Sequence, residues 1–219
     1  MTHPTGIRAV LFDMDGVLAD SEPLINAAAI AMYRELGLEV KPADFLPFVG
    51  AGEDRYVGGV AEQYHFPLDL PAAKRRTYEL YLQLVPTKLE VFPGAADLAR
   101  ACRRAGLRIA VASSADLIKI EANLAKIGLP REQWDTVVTA EDVSARKPAP
   151  DIFLKAARRL GLDPVQCVVI EDAVNGVTAA KAAGMRCVAV ATSFPAAALH
   201  EADLVRAAIA DVTIADLVR

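Results

Sequence analysis

No run in the chain approaches the roughly 20 consecutive apolar residues that a membrane-spanning helix needs, and no charged start followed by a long apolar stretch opens it. A soluble cytoplasmic protein that does not engage a membrane is the expectation. There is no excess of basic residues either: 24 Lys and Arg stand against 28 Asp and Glu, a net charge of -4. This argues against nucleic-acid partners and leaves room only for a local cationic pocket. Cysteine is scarce, with Cys102, Cys167 and Cys187 an odd set without metal-type spacing. Buried reduced thiols are expected. The three histidines, His3, His65 and His200, have no spacing that suggests a metal site or a triad and stay unassigned. Internal repeats and low-complexity tracts are missing, apart from alanine-rich stretches of the kind found in helices packed on sheets.

What the chain has is 219 residues, 53% of them hydrophobic, enough for one sizeable domain or for a core domain with an insertion. Its organising stretch is Ile7 to Asp20. Ala9, Val10, Leu11 and Phe12 form a continuous apolar segment, as expected of a strand buried on both faces of a parallel sheet. Asp13 and Asp15 follow at its carboxyl end, where open α/β sheets place their ligands. Two acids so close repel unless a cation joins them, and a hard divalent ion with oxygen ligands, magnesium foremost, suits that need. Gly16 then permits a sharp turn. Taken alone, the two acids read first as the polar turn after an ordinary strand, and only distant partners overturn that.

After this strand, Ser21 is a plausible N-cap, with Pro23 in the first turn of a helix that runs to Leu36 and stops at Gly37. Helical pieces around Ala43 to Val49, Glu53 to Tyr64 and Ala72 to Leu84 predict a helical cap over 19–87. Hinges are expected near Val17 to Ala19 and Thr87 to Val91, with Val85-Pro86 punctuating its end. The core domain is then 1–18 and 88–219. From Gly94 the rhythm alternates, which implies parallel pairing through crossovers. Helices are expected at Ala95 to Ala105, Asp116 to Ile127 and Pro150 to Leu160, and a fourth ends at Ala183. Strands are expected at Leu107 to Ala112, Thr136 to Ala140, Val168 to Ile170 and Cys187 to Val190. The tail from Ala191 is less legible, with a short helix near Ala196 to Ala202 and a weak apolar run at Val212 to Ile214.

The strand tips thus carry Asp13 and Asp15, Ser113 and Ser114, and Glu171 and Asp172, with Lys147 before a helix nearby. Each is ordinary by itself: helix caps, a solvated lysine. In a parallel sheet they face one crevice, and together they meet the needs of phosphoryl transfer, namely a metal, donors and a cation for the phosphoryl oxygens, and an aligned nucleophile.

The motifs D-M-D-G-V-L at Asp13 to Leu18, V-A-S-S at Val111 to Ser114, K-P at Lys147-Pro148 and E-D-A-V-N-G at Glu171 to Gly176 resemble, in order and placement, the four motifs of the haloacid dehalogenase superfamily. The resemblance covers nearly the whole chain. It implies a Rossmann-like three-layer α/β core with a parallel sheet and an inserted all-helical cap, as in the β-phosphoglucomutase and phosphoglycolate phosphatase branch. It further implies that Asp13 attacks phosphorus and becomes an aspartyl phosphate, that Asp15 is the general acid and base, and that Ser113 and Lys147 hold the phosphoryl oxygens. Amides of Met14, Asp15 and Ser114 would complete the cradle. Mg2+ would be bound by the Asp13 side chain, the Asp15 carbonyl and the Asp172 carboxylate, with Glu171 direct or through water.

Haloacid dehalogenases lack an acid at the Asp15 position, so the resemblance points to phosphate rather than carbon-halogen chemistry. Where β-phosphoglucomutases carry histidine, lysine and arginine, this chain has Ile25, Val49 and Glu53. The leading expectation is a phosphatase of small phosphorylated metabolites, sugar phosphates first, acting as a monomer or weak dimer. A phosphomutase and a regulatory module on the same fold are the alternatives. The segment Asp44 to Glu62 also resembles the dehalogenase-like domain of plant suppressor-of-quenching proteins. Substrate choice is expected in the cap, with Gly50, Glu53, Arg55 and Tyr56 as candidates, whereas Lys74, Arg75 and Arg76 read as a solvated helix face.

Overall fold

The computed structural model describes residues 6–49 and 52–219, so Gly50, named above as a substrate-binding position, lies outside the described residues. Six strands form one parallel sheet in the order β5-β4-β1-β6-β7-β8. They are β1 (Ala9–Phe12), β4 (Arg108–Ala112), β5 (Thr136–Val138), β6 (Cys167–Glu171), β7 (Arg186–Val190) and β8 (Leu204–Arg206). Strand β1 is central, and β1, β4 and β6 are wholly buried except for Arg108, which is why they read as unbroken apolar runs.

Alternate residues of the strands face opposite layers. Val10, Phe12, Val111 and Ile170 pack with α4 (Ala95–Arg104), α5 (Leu117–Ile127) and α8 (Ile214–Val218). Leu11, Ala112 and Val169 pack with α6 (Asp151–Leu160) and α7 (Val174–Ala182) on the other side. A strand buried between two helical layers cannot tolerate polar residues until it ends. That rule delivers the polar residues to the strand tips.

Between β1 and β4 the chain leaves the sheet. A two-stranded antiparallel ribbon, β2 (Ala19–Asp20) with β3 (Glu90–Val91), brackets the helices α1 (Glu22–Glu35), α2 (Glu53–Gln63) and α3 (Leu70–Lys88). Both expected hinge stretches run into this ribbon. Pro42–Phe48 is a 3-10 turn rather than an α-helix: Pro42 at its first position is harmless, but Pro47 inside it has no N–H to donate and its ring crowds the preceding turn. Helix α3 continues through Pro86 to Lys88, past the stop expected at Val85-Pro86. A proline this close to the C-terminus removes one bond of the last turn only. The turn closes through Leu89 N–H to the Val85 carbonyl (3.3 Å), and Lys126 Nζ donates to the Pro86 carbonyl (2.7 Å). The tail adds an edge strand, β8, that was not expected; Pro195 leads into a 3-10 turn at Ala196–Leu199, and α8 follows with Thr213 as its cap. Among the described residues no helix is long and apolar enough to cross a membrane.

Candidate active site

Register assembles the site. Phe12 lies opposite Val111 on β4 and Ile170 on β6, so the residues that follow emerge side by side. The ladders extend one step further, with Asp13 N–H donating to the Ile170 carbonyl (3.0 Å) and Ser113 N–H to the Val138 carbonyl (3.1 Å). Asp13, Ser113, Glu171 and Asp172 are all buried polar residues. They front a cavity of about 390 Å3 that is also lined by Asp15 and Lys147 and, from the tail, by Ser193 and Phe194.

Lys147 is the cation at its centre. Its Nζ donates to Asp13 Oδ1 (2.7 Å) and Glu171 Oε1 (2.6 Å). The other Glu171 oxygen accepts from the amides of Asp172 (2.9 Å) and Ala173 (3.0 Å). Burial pushes Asp13 up to about 7, with Glu171 and Asp15 adding to it and Lys147 opposing. Asp172 is driven well above the usual carboxylate range, by burial first and then by Glu171 and Asp13. Burial works against the charge on Lys147, yet Asp13 and Glu171 outweigh it and hold the ammonium above its ordinary value.

Asp13, Glu171 and Asp172 each present an oxygen within 4.8 Å of the others. Three buried carboxylates against one ammonium leave an excess of negative charge that a buried site does not keep uncompensated. The donors are all oxygen, the set a hard divalent cation takes. Two glycines make the close approach possible. A Cβ on Gly16 (φ +76) would lie 1.8 Å from Asp172 Oδ2, and one on Gly176 would lie 1.8 Å from Glu171 Oε1.

Asp15 is held from the other side of the crevice. Ser21 Oγ donates to its Oδ1, and Lys119 Nζ donates to its Oδ2 at 2.9 Å. Ser21 therefore spends its hydroxyl on Asp15, and its side chain makes no capping bond to α1. Lys119 is 2% exposed, lies 3.7 Å from Glu53 Oε1, and has the Tyr81 ring 6.0 Å away. Desolvation opposes its charge, but Asp15, Glu53 and Glu22 raise it well above the ordinary lysine value. Lys119 was missed by the sequence reading: it sits inside an amphipathic helix, and its partners are far away in the chain.

The remaining expected residues fall in different places. Ser113 Oγ accepts from Ala115 N–H (3.2 Å), which leaves its own proton free to be donated. Ser114 lines the cavity, and its carbonyl accepts from Arg146 Nη1 (3.3 Å). The Met14 side chain is buried in the core, and its carbonyl accepts from Leu18 and Ala19. Arg55 points elsewhere: its Nη1 donates to both Glu62 oxygens (2.9 and 3.0 Å), and the guanidinium lies 5.3 Å from the Phe48 ring centre. Lys74 is not part of a solvated face. It bridges Asp54 (2.7 Å) on α2 and Asp116 (2.5 Å) at the start of α5. Tyr81 Oη donates to Asn123 Oδ1 (2.6 Å), a second tie between α3 and α5.

Residues 7–184 match the family of haloacid dehalogenase-like hydrolases, and the chain belongs to that family. It is 47% identical over 216 residues to Protein SUPPRESSOR OF QUENCHING 1, chloroplastic, of Arabidopsis thaliana, an alignment that takes in 96% of this chain but 20% of that protein. It is 35% identical over 195 residues to Hexitol phosphatase B of Escherichia coli (strain K12), covering 87% of this chain and 86% of that one. Among solved structures, CbbY from Rhodobacter sphaeroides in complex with phosphate superposes with a TM-score of 0.84 at 30% identity, covering 96% of this chain and 99% of that one. The resemblance seen in the four motifs, including that to suppressor-of-quenching proteins, is thereby shown, as is the α/β fold.

Proposed function

We propose that the protein is a magnesium-dependent phosphatase of small phosphorylated metabolites, sugar phosphates first, that works through an aspartyl phosphate on Asp13. The observation that carries this reading is the buried cluster of Asp13, Glu171 and Asp172, with Lys147 bonded to the first two, at the strand tips that front the cavity. Similarity to hexitol phosphatase B and to CbbY supports the substrate class. Residues 1–18 and 88–219 act as the catalytic core and 19–87 as its cap.

In the first half-reaction a carboxylate oxygen of Asp13 forms the new bond to phosphorus as the bond to the sugar oxygen breaks, and Asp15 delivers a proton to that departing oxygen. In the second, water adds to phosphorus, Asp15 takes its proton, and Asp13 departs as carboxylate while orthophosphate is released. Lys147, already bonded to Asp13, orients the nucleophile and stabilises the phosphoryl oxygens, and Ser113 donates its free hydroxyl proton to them. The carboxylates of Asp13, Glu171 and Asp172 and the main-chain carbonyl of Asp15 would hold magnesium, which when bound would neutralise phosphate charge. The ties Lys74 to Asp116 and Tyr81 to Asn123 hold the cap helices down on the core, which keeps bulk water from the crevice.

A panel of phosphorylated sugars, hexitols and short acids, assayed for released phosphate with and without magnesium, tests this reading. Release that requires the metal and is lost in Asp13→Asn is expected. Release at the same rate in Asp13→Asn overturns it.

A further inference from the structure

Two adjacent hydroxyls from the tail reach the carboxylate end of the crevice. Strand β7 ends at Val190, and Ala191 N–H still donates to the Arg206 carbonyl (2.9 Å), which fixes where the chain leaves the sheet. Thr192 and Ser193 come next. Thr192 Oγ1 donates to the Gly16 carbonyl, and Ser193 lines the cavity together with Asp172. A Cβ on Gly16 would lie 1.8 Å from Asp172 Oδ2 and 2.7 Å from Ser193 Oγ, so that carboxylate and that hydroxyl share the space the glycine leaves open. Burial, Glu171 and Asp13 all disfavour the charge on Asp172, and the hydrogen bond from Ser193 opposes them.

Each hydroxyl bears on a different group of the metal-binding set. Gly16 follows Asp15 directly and turns the chain at φ +76. A glycine leaves the backbone free to rotate on both sides, so its neighbours need outside ties. Gly16 N–H donates to the Ala19 carbonyl (3.0 Å), and Thr192 holds the Gly16 carbonyl; the peptide plane that carries the Asp15 carbonyl and the plane after it are thereby both fixed. The other carboxylates have their own holds, since Lys147 bonds Asp13 and Glu171 and two amides bond Glu171. Ser193 does for Asp172 what these do for the rest. Thr192 and Ser193 are themselves exposed on a loop, so their hydroxyls contribute little to the core.

We propose that Thr192 and Ser193 are positioning residues for the magnesium site: Thr192 sets the direction of the Asp15 carbonyl through Gly16, and Ser193 holds the Asp172 carboxylate beside Asp13 and Glu171. Neither is a ligand; each acts on one. The inference rests on the magnesium-dependent reading above and adds to it a contribution from the tail, which none of the four motifs contains. Groups that orient metal ligands in this way are worth about 10- to 100-fold in metal affinity.

The test needs no substrate. Magnesium chloride alone is titrated into the metal-free protein against potassium chloride at equal ionic strength, and the rise in Tm gives the affinity. Wild type is compared with Ser193→Ala, Thr192→Val and Thr192→Ser. Ser193→Ala and Thr192→Val are expected to bind magnesium at least about tenfold more weakly. Their metal-free Tm should stay within about 2 °C of wild type, because surface changes cost little. Thr192→Ser keeps the hydroxyl and should bind within about twofold of wild type. Titrations of Ser193→Ala and Thr192→Val that superpose on wild type overturn the inference, and a loss in one variant alone overturns the role given to the other residue. Weaker binding that comes with a lowered metal-free Tm, or that Thr192→Ser fails to restore, makes the hydroxyls structural and overturns it as well. A wild type whose Tm does not respond to magnesium defeats the magnesium-dependent reading itself.

Discussion

Replacing Gly176 by alanine sets two effects of opposite sign against each other. Gly176 lies in α7, where alanine is the better helix former by about 1 kcal/mol, so local propensity predicts stabilisation. A Cβ there would stand 1.8 to 2.3 Å from the carboxylate atoms of Glu171, so that carboxylate must move. It is pinned, not free to swing: Glu171 is 1% exposed and accepts from Lys147 and from the amides of Asp172 and Ala173. Losing the charged bond costs about 1.5 to 3 kcal/mol and each amide bond about 0.5 to 1.5 kcal/mol, less whatever part survives in a shifted geometry. The steric effect wins, by about 1 to 3 kcal/mol, which lowers Tm by about 2 to 12 °C in a chain of this size. The variant should also need more magnesium for half-maximal rate, because the displaced carboxylate belongs to the metal-binding set. Thermal melts and a magnesium titration at saturating substrate read both effects. A Gly176→Ala protein that melts higher than wild type and titrates identically with magnesium would refute the reasoning.

Stability of the metal-free protein should fall as pH rises from about 5 to about 7.5. Asp13 and Glu53, raised from 3.8 and 4.5 to about 7, keep in the folded state the protons that the unfolded chain has lost, so raising pH through that window favours unfolding. A melt series without magnesium that stays flat or climbs would count against it, and Asp13→Asn should lessen the slope. Lys119→Met should destabilise by about 2 to 4 kcal/mol, since it leaves Glu53 buried and Asp15 half-buried without their cation; a denaturant midpoint equal to wild type would contradict this. Cys102 and Cys167 are buried, with thiols pushed by that burial up to about 12 and about 11, and Cys187 is raised likewise. A thiol reagent should therefore label all three only on unfolding, at the global unfolding rate.

How far the sequence speaks depends on whether a residue's role is set locally. Asp13, Ser113, Glu171 and Asp172 were legible because each ends an apolar run, and a strand buried on both faces can turn polar only at its tip. Lys147 was legible through the proline beside it. Lys119 was not, because one lysine inside a helix looks solvated until Asp15 and Glu53 are folded against it. Lys74 was misread for the same reason, its partners lying on two other helices. Arg55, a candidate only as a polar residue of the cap, is exposed and pairs with Glu62 within its own helix. Strand β8 escaped notice because an edge strand of three half-buried residues leaves almost no pattern. The tail's contribution of Ser193 and Phe194 to the cavity depends on where β7 ends, which no local signal announces.

The covalent step on Asp13 is open to direct trapping. Substrate labelled in its phosphoryl group is mixed with wild-type and Asp15→Asn protein in magnesium, quenched in acid, digested and mapped. Label is expected on the peptide that contains Asp13, transient in the wild type and accumulating in Asp15→Asn, where water attack lacks its base. Turnover of the substrate with no label on that peptide in either protein, or with label on another residue, would contradict Asp13 as the nucleophile.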